Sequence, residues 1–377
     1  MPVGPINWFE GKSRYQKSKV AADITDNNVQ QSAPDVGGLG TTVKNIRKLA
    51  RALCISVVLG NLAGHASAES ALEVLGRDFQ FPNAIPDMPK RLSEFPGLQI
   101  NSFTTQDGVK LSYWEAGKGK PLIFIPGWSA NGAQYINLMY LLAGQYHVYV
   151  LDPRNQGLSQ RVEFGGRIAR HSMDVRELAQ HLGLKSAAYV GHSMGAAILW
   201  SYIDLFGTDS MSNVVFVDEP ISIYAHADWS EQERRDAGGT TTSPERMVAA
   251  FTAGGPVNAL VTDLKVFERS QQMDSPFYQN SESFAAAFIK NDPAALARVL
   301  FNHTVNDWRD VVRYKINIPT AIFSGEESNN LPSQRWAQSV VPGAQLYSYT
   351  SAEQGDHFLM FKNPLKFTQD LHIFLER

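Results

Sequence analysis

Two hydrophobic periods divide this chain into segments. Residues 98–105 and 110–115 alternate apolar and polar side chains around Asp107-Gly108, a pattern that predicts a hairpin closed by a tight turn. Short unbroken apolar runs follow at 121–125, 147–151, 187–190 and 214–217, as expected of strands covered on both faces. Stretches with helical character at 133–145, 171–182 and 194–206 separate several of them. Strands alternating with helices predict an α/β fold, a mostly parallel central sheet flanked by helices. Beyond Pro220 the pattern changes: helices are predicted at 229–237, 244–252, 258–272, 282–290 and 293–301, broken by Gly238-Gly239-Thr240-Thr241 and Gly254-Gly255-Pro256. A strand returns at 320–323, then a helix at 332–340, a strand at 345–349 and a closing helix at 364–375. The expected organisation is therefore an α/β core of residues 98–220 and 318–377, with a helical cap at 221–317 inserted before the last two strands.

The first 97 residues follow neither period. Residues 1–42 are polar and irregular, with the composition of a disordered segment. Lys44, Arg47, Lys48 and Arg51 then precede an apolar run at 52–64 and Ala66-Ser67-Ala68. A basic region, a short apolar region and an A-x-A site, in that order, predict a secretory signal peptide, hence a periplasmic or secreted protein. The run is shorter than the roughly 20 residues that span a bilayer, so no stable membrane span is expected after cleavage. A signal peptide begins near the start of its chain, which places the expected start of translation at Val43, read from a GTG codon. Residues 69–97 are read as an arm: Pro82, Pro86, Pro89 and Pro96 predict an extended segment wrapping the surface.

Composition narrows the function. Of 377 residues, 44% are hydrophobic and 19% charged, ordinary for a globular protein that buries a full core. A net charge of −3 offers no basic patch for nucleic acid. The one cysteine, Cys54, excludes an intrachain disulfide framework and a cysteine-based structural zinc site. The nine histidines are scattered without helical H-x-x-x-H pairing, so no metal site is expected. No glycine-rich dinucleotide or phosphate loop follows the first strand, so no cofactor is implied; Gly117-Lys118-Gly119 is a turn.

One motif carries chemistry. Gly191-His192-Ser193-Met194-Gly195 fits G-x-S-x-G, with an apolar strand running into it and an Ala-rich helix running out. That context turns the chain sharply at Ser193, and glycines on either side permit close backbone packing that leaves the hydroxyl accessible. A serine hydroxyl is a weak nucleophile until a base takes its proton. His192 adjoins the nucleophile but should point elsewhere, as a structural or pocket-lining residue.

From these residues the chain resembles the α/β-hydrolase superfamily over residues 98–377. Ile125-Pro126-Gly127-Trp128 stands where that family has its H-G-x oxyanion loop, with Pro126 in place of His. Leu151-Asp152-Pro153-Arg154-Asn155-Gln156-Gly157-Leu158-Ser159 resembles its D-x-R-G-x-G-x-S segment, with Asn155 in place of the first Gly. Gly355-Asp356-His357-Phe358, followed by Asn363-Pro364, resembles the loop bearing the catalytic base. Trp128 together with Met194 is similar to the non-haem haloperoxidase and perhydrolase branch, which includes esterases and lactonases.

The resemblance implies Ser193 as nucleophile, His357 as its base, and the backbone N–H groups of Trp128 and Met194 as the oxyanion hole. It does not supply the acid at its usual place. There the chain reads Gly325-Glu326-Glu327-Ser328, with Ser328 where Asp is expected. Some families carry the acid after the strand that follows the nucleophile's helix, and that place holds Asp218-Glu219-Pro220. Asp218 is the choice made here, with Glu219, Glu326 and Glu327 as alternatives. Cap aromatics (Phe251, Phe267, Phe277, Tyr278, Phe284, Phe288, Trp308) either roof the serine or pack the cap's own core. Arg309 is expected to reach a substrate carboxylate or to tie the cap to the core by an ion pair. The expected function is hydrolysis of a small-molecule carboxylic ester or lactone through an acyl-enzyme. The alternatives are perhydrolysis, in which hydrogen peroxide replaces water, and a non-catalytic binding protein on the same fold.

Overall fold

The computed structural model describes residues 69–83, 85–252, 266 and 269–377. The signal-peptide expectation for residues 1–68, most of the helix expected at 258–272, and Phe267 lie outside the described residues.

Among the described residues, eight strands form one sheet: β1 (Gln99–Thr104), β2 (Lys110–Gly117), β3 (Lys120–Ile125), β4 (Tyr146–Leu151), β5 (Ala187–His192), β6 (Met211–Val217), β7 (Thr320–Gly325) and β8 (Gln345–Tyr349). Their spatial order is β1-β2-β4-β3-β5-β6-β7-β8, and β2 alone runs against the others. The central strands show why their sequences lack a polar period. Leu122 and Phe124 face one apolar cluster while Ile123 and Ile125 face a second on the other side. Val215 and Val217 against Val214 and Phe216 on β6 divide in the same way. With period 2 and both faces covered, every position is apolar.

Among the described residues, seven helices dress the sheet: α1 (Ala71–Leu75), α2 (Ile136–Leu142), α3 (Ile168–His181), α4 (Met194–Phe206), and, after the insertion, α10 (Leu331–Val340), α11 (Leu359–Lys362) and α12 (Pro364–Leu375). Between β6 and β7 the described residues hold α5 (Glu231–Ala237), α6 (Pro244–Thr252), α7 (Pro276–Phe288), α8 (Pro293–Thr304) and α9 (Arg309–Tyr314). Pro244, Pro276 and Pro293 each open their helix, where a missing N–H costs nothing. No helix among the described residues is long and apolar enough to cross a membrane.

The arm differs from expectation. Phe81, Ile85, Met88 and Leu92 are buried and join the apolar cluster of α2 and α12. Phe79 and Phe81 pack edge-on or tilted against Phe284 of α7, at 5.3 and 5.2 Å between ring centroids. Apart from α1 and a 3-10 turn at Leu92–Glu94 its described backbone is irregular, and its apolar side chains enter the core instead of lying on the surface. Arg309 also differs. It pairs with Asp307 at 2.8 Å and lies 4.1 Å over the Trp229 ring, so its partners belong to the inserted segment itself.

Candidate active site

The residues singled out in the sequence lie beyond the carboxyl ends of parallel strands, where open α/β sheets bind ligands. Ser193 follows β5 and caps α4 with φ 53 and ψ −130, an unfavourable conformation for a non-glycine residue. Its neighbours impose that geometry. A Cβ on Gly195 would come within 2.0 Å of the Ile125 carbonyl oxygen, and one on Gly191 within 2.5 Å of the Gly195 carbonyl oxygen. Only glycines let β5 and α4 approach so closely. The Ser193 N–H donates to the Val217 carbonyl at 3.0 Å, pinning the turn to β6.

Gly127 lies directly against the turn: a Cβ there would meet Ser193 Cβ at 2.9 Å and Oγ at 3.3 Å. Trp128, the next residue, lines the same cavity as Ser193 and His357. Met194 opens α4, so its N–H lies among those that a helix start leaves without an intrahelical partner. The Trp128 indole donates to the Leu296 carbonyl of α8 at 3.1 Å, and its ring meets Phe251 edge-on at 5.5 Å.

Of the four carboxylates considered for His357, Asp218 is the one at its ring. Asp218 Oδ2 lies 2.8 Å from His357 Nδ1, with Asp218 fully buried and the imidazole 11% exposed. Asp218 sits just past β6 with φ 49. It receives the Ser324 hydroxyl at 2.5 Å, the Ser328 hydroxyl at 2.7 Å and the Asn330 amide at 3.1 Å. Ser328, which stands where an acid was expected, thus donates to the acid that comes from β6. Glu326 accepts from Ser351 N–H at 3.4 Å, and Glu327 pairs with Arg269 and Ser351. Glu219 pairs across to His303 of α8 at 3.0 Å, both buried.

Burial disfavours a charged imidazole at His357, but the hydrogen bond and charge of Asp218, aided by Glu219 and Asp356, overcome this and hold its pKa above the ordinary value. His192 goes the opposite way, pushed down to about 3 by burial and by the neighbouring His357. It is therefore neutral, and its Nε2–H donates to the His357 carbonyl at 2.8 Å while its ring lines the cavity. His192 was expected to be structural or pocket-lining, and it both bonds the His357 loop and lines the cavity.

The cavity opens to solvent. Trp128, Ile223, Met247, Phe251 and Leu300 make most of its wall apolar, while Glu219 and His303 contribute a polar pair. Phe251 alone of the described cap aromatics lines it; Phe277, Tyr278, Phe284 and Phe288 pack with the arm and α2. Among the described residues, no group of three or more His, Cys, Asp or Glu is placed to hold a metal ion.

The other family-like segment supports this site from below. Asp152 accepts N–H groups of Gly132 at 2.6 Å and Leu158 at 2.8 Å, and the Trp114 indole at 3.2 Å. Asn155 has φ 67, so the side chain in place of glycine is one that tolerates the left-handed region. Ser324, Asn330, Gln156 and His303 are site-supporting residues that sequence reasoning did not assign. Gln156 lies inside a quoted motif, whereas the others carry no local signal.

An eight-stranded α/β sheet with a serine, a histidine and a carboxylate at its strand ends defines an enzyme of hydrolase type. The chain belongs to the α/β hydrolase fold family, which matches residues 120–364. It is similar to a non-heme chloroperoxidase of Kitasatospora aureofaciens, 27% identical over 73% of this chain and 98% of that protein. A non-heme haloperoxidase of Rhodococcus erythropolis is 29% identical over 67% of this chain and 92% of its own length. Among solved structures, an esterase from Exiguobacterium antarcticum shares the fold with a TM-score of 0.60 at 19% identity, covering 74% of this chain and 99% of that one.

Proposed function

We propose that this protein is a serine hydrolase that cleaves a small-molecule carboxylic ester or lactone through an acyl-enzyme on Ser193. The observation that carries the proposal is the buried 2.8 Å contact between His357 Nδ1 and Asp218, on an imidazole that shares the cavity with Ser193. His357 takes the Ser193 proton as Oγ attacks the carbonyl carbon, and Asp218 stabilises the imidazolium so formed. The N–H groups of Trp128 and Met194 receive the oxyanion. His357 then returns the proton to the departing alkoxide, and water repeats the sequence to release the acid. The apolar wall suits a substrate with an aliphatic or aromatic acyl or alcohol group.

The test is labelling with a fluorophosphonate probe, together with turnover of p-nitrophenyl esters of graded chain length and of lactones. Labelling that is lost in Ser193→Ala, with matching loss of turnover, supports the proposal. A folded wild-type protein that neither labels nor turns over any of them would favour a binding protein instead. The haloperoxidase relatives favour a second reading, in which hydrogen peroxide replaces water as acyl acceptor. Peroxide-dependent halogenation in acetate buffer, abolished in Ser193→Ala, tests it. The basic, apolar and A-x-A order of residues 44–68 supports export to the periplasm or medium, which cell fractionation would test.

A further inference from the structure

The loop that carries Trp128 is held by side-chain amides whose role goes beyond packing. Residues 127–130 form a turn closed by the Ala130 N–H on the Gly127 carbonyl at 3.2 Å. Its third residue, Ser129, has φ 63, a backbone region that favours glycine. A serine stays there only where its surroundings over-determine it.

One buried side chain supplies most of that constraint. Gln156 is fully buried, and its Nε2 donates to the Gly127 carbonyl at 2.9 Å and to the Ala130 carbonyl at 2.7 Å. Its Oε1 accepts the Ser129 N–H at 3.0 Å. A single carboxamide thus uses both donors and its acceptor on the two ends and the middle of one four-residue turn. From the cap side, Asn291 donates to the Ser129 carbonyl and accepts the Gly157 N–H at 3.0 Å. Gly157 follows Gln156 directly, so the two amides grip the turn and its supporting segment from opposite sides.

We propose that Gln156 is the positioning residue of the oxyanion hole and Asn291 its cap-side counterpart, together setting where the Trp128 N–H points. The inference rests on the serine-hydrolase reading. Oxyanion stabilisation depends on donor placement: losing one donor typically costs about 10²–10³ in rate, and a misplacement of about 1 Å costs about 10². Neither amide needs to touch substrate. Removing them should therefore weaken the transition state and leave ground-state binding nearly intact.

The test uses Gln156→Met, which keeps the volume but removes all three bonds, and Asn291→Asp, which removes the donor to Ser129. Asn291 is half-buried in the cap, so its variant keeps the test valid where Gln156→Met does not fold. On the best ester found for the wild type, kcat should fall about tenfold to a hundredfold for Gln156→Met and about threefold to tenfold for Asn291→Asp. KM should stay within about twofold, and affinity for a trifluoromethyl ketone, which forms a tetrahedral adduct on serine, should fall by the same factor as kcat/KM. Folded variants with wild-type kcat and wild-type ketone affinity would overturn the inference. So would a loss of kcat with ketone affinity unchanged. A wild type that fails to label with fluorophosphonate would instead fail the serine-hydrolase reading itself.

Discussion

Replacing Asp218 by Asn tests the arrangement at its most buried point. The substitution preserves shape and can preserve hydrogen bonding. Oδ2 lies among His357, Ser328 and Asn330, all of which can donate, while Oδ1 meets the Ser324 hydroxyl, which can also accept. An amide oriented with its oxygen toward His357 and its nitrogen toward Ser324 therefore fits, and what is lost is charge. Two unit charges about 4 Å apart interact by about 4 kcal/mol at an effective dielectric of about 20. That stabilisation acts only once His357 is protonated, in the transition state, so about three decades of kcat should go. Loss of the enforced imidazole tautomer brings the total to as much as about 10⁴. The assay is ester turnover and the rate of fluorophosphonate labelling, with thermal melting to establish folding and Glu326→Gln as a control at near wild-type rate. A folded Asp218→Asn enzyme within about threefold of wild type would remove Asp218 as the working partner of His357, and more directly so if Glu326→Gln were the slow one.

Four further outcomes follow. Because Asp218 holds His357 above its ordinary pKa, the acid limb of the kcat/KM profile should have its midpoint above about 6.5 and move to lower pH in whatever activity Asp218→Asn retains. Gly127→Ala places a Cβ 2.9 Å from Ser193 Cβ, so kcat should drop at least about tenfold with circular dichroism unchanged. Arg154 is fully buried and binds Asp174 at 2.6 Å; Arg154→Leu should destabilise by about 3 kcal/mol in urea titration, at the low end for a broken buried pair because Arg170 still holds Asp174 at 2.8 Å. His171 is pushed down to about 3 by burial and by Arg154 and Arg170. The unfolded chain takes up a proton near pH 6.5 that the fold refuses, so stability falls as pH drops from about 6.5 toward 3, and His171→Leu should flatten that slope in urea midpoints at pH 7 and 5.

The elements were readable to the extent that they were long enough to show a period. All eight strands coincide with apolar runs or alternations in the sequence, and α4, α6 and α12 begin and end where their patterns do. The helices missed were α1, α9 and α11, of five, six and four residues. A helix of one turn or so does not repeat its apolar face, so no period exists to detect. The arm misled for another reason: its prolines mark irregular backbone, but irregular backbone says nothing about whether Phe81 or Ile85 is buried.

The candidate site divides the same way. Local sequence by itself determined the turn at Ser193, because a strand, two glycines and a helix within a few residues allow only one sharp geometry, and it determined His357 as the loop histidine after the last strand. It could not determine which carboxylate meets that histidine. Asp218 and His357 are 139 residues apart and touch only because β6, β7 and β8 lie side by side, an arrangement made by long-range pairing. Ser328, Asn330 and Gln156 belong to the same class. Each acts on a partner from another loop, and which loops share a strand end is decided by the register and order of the folded sheet.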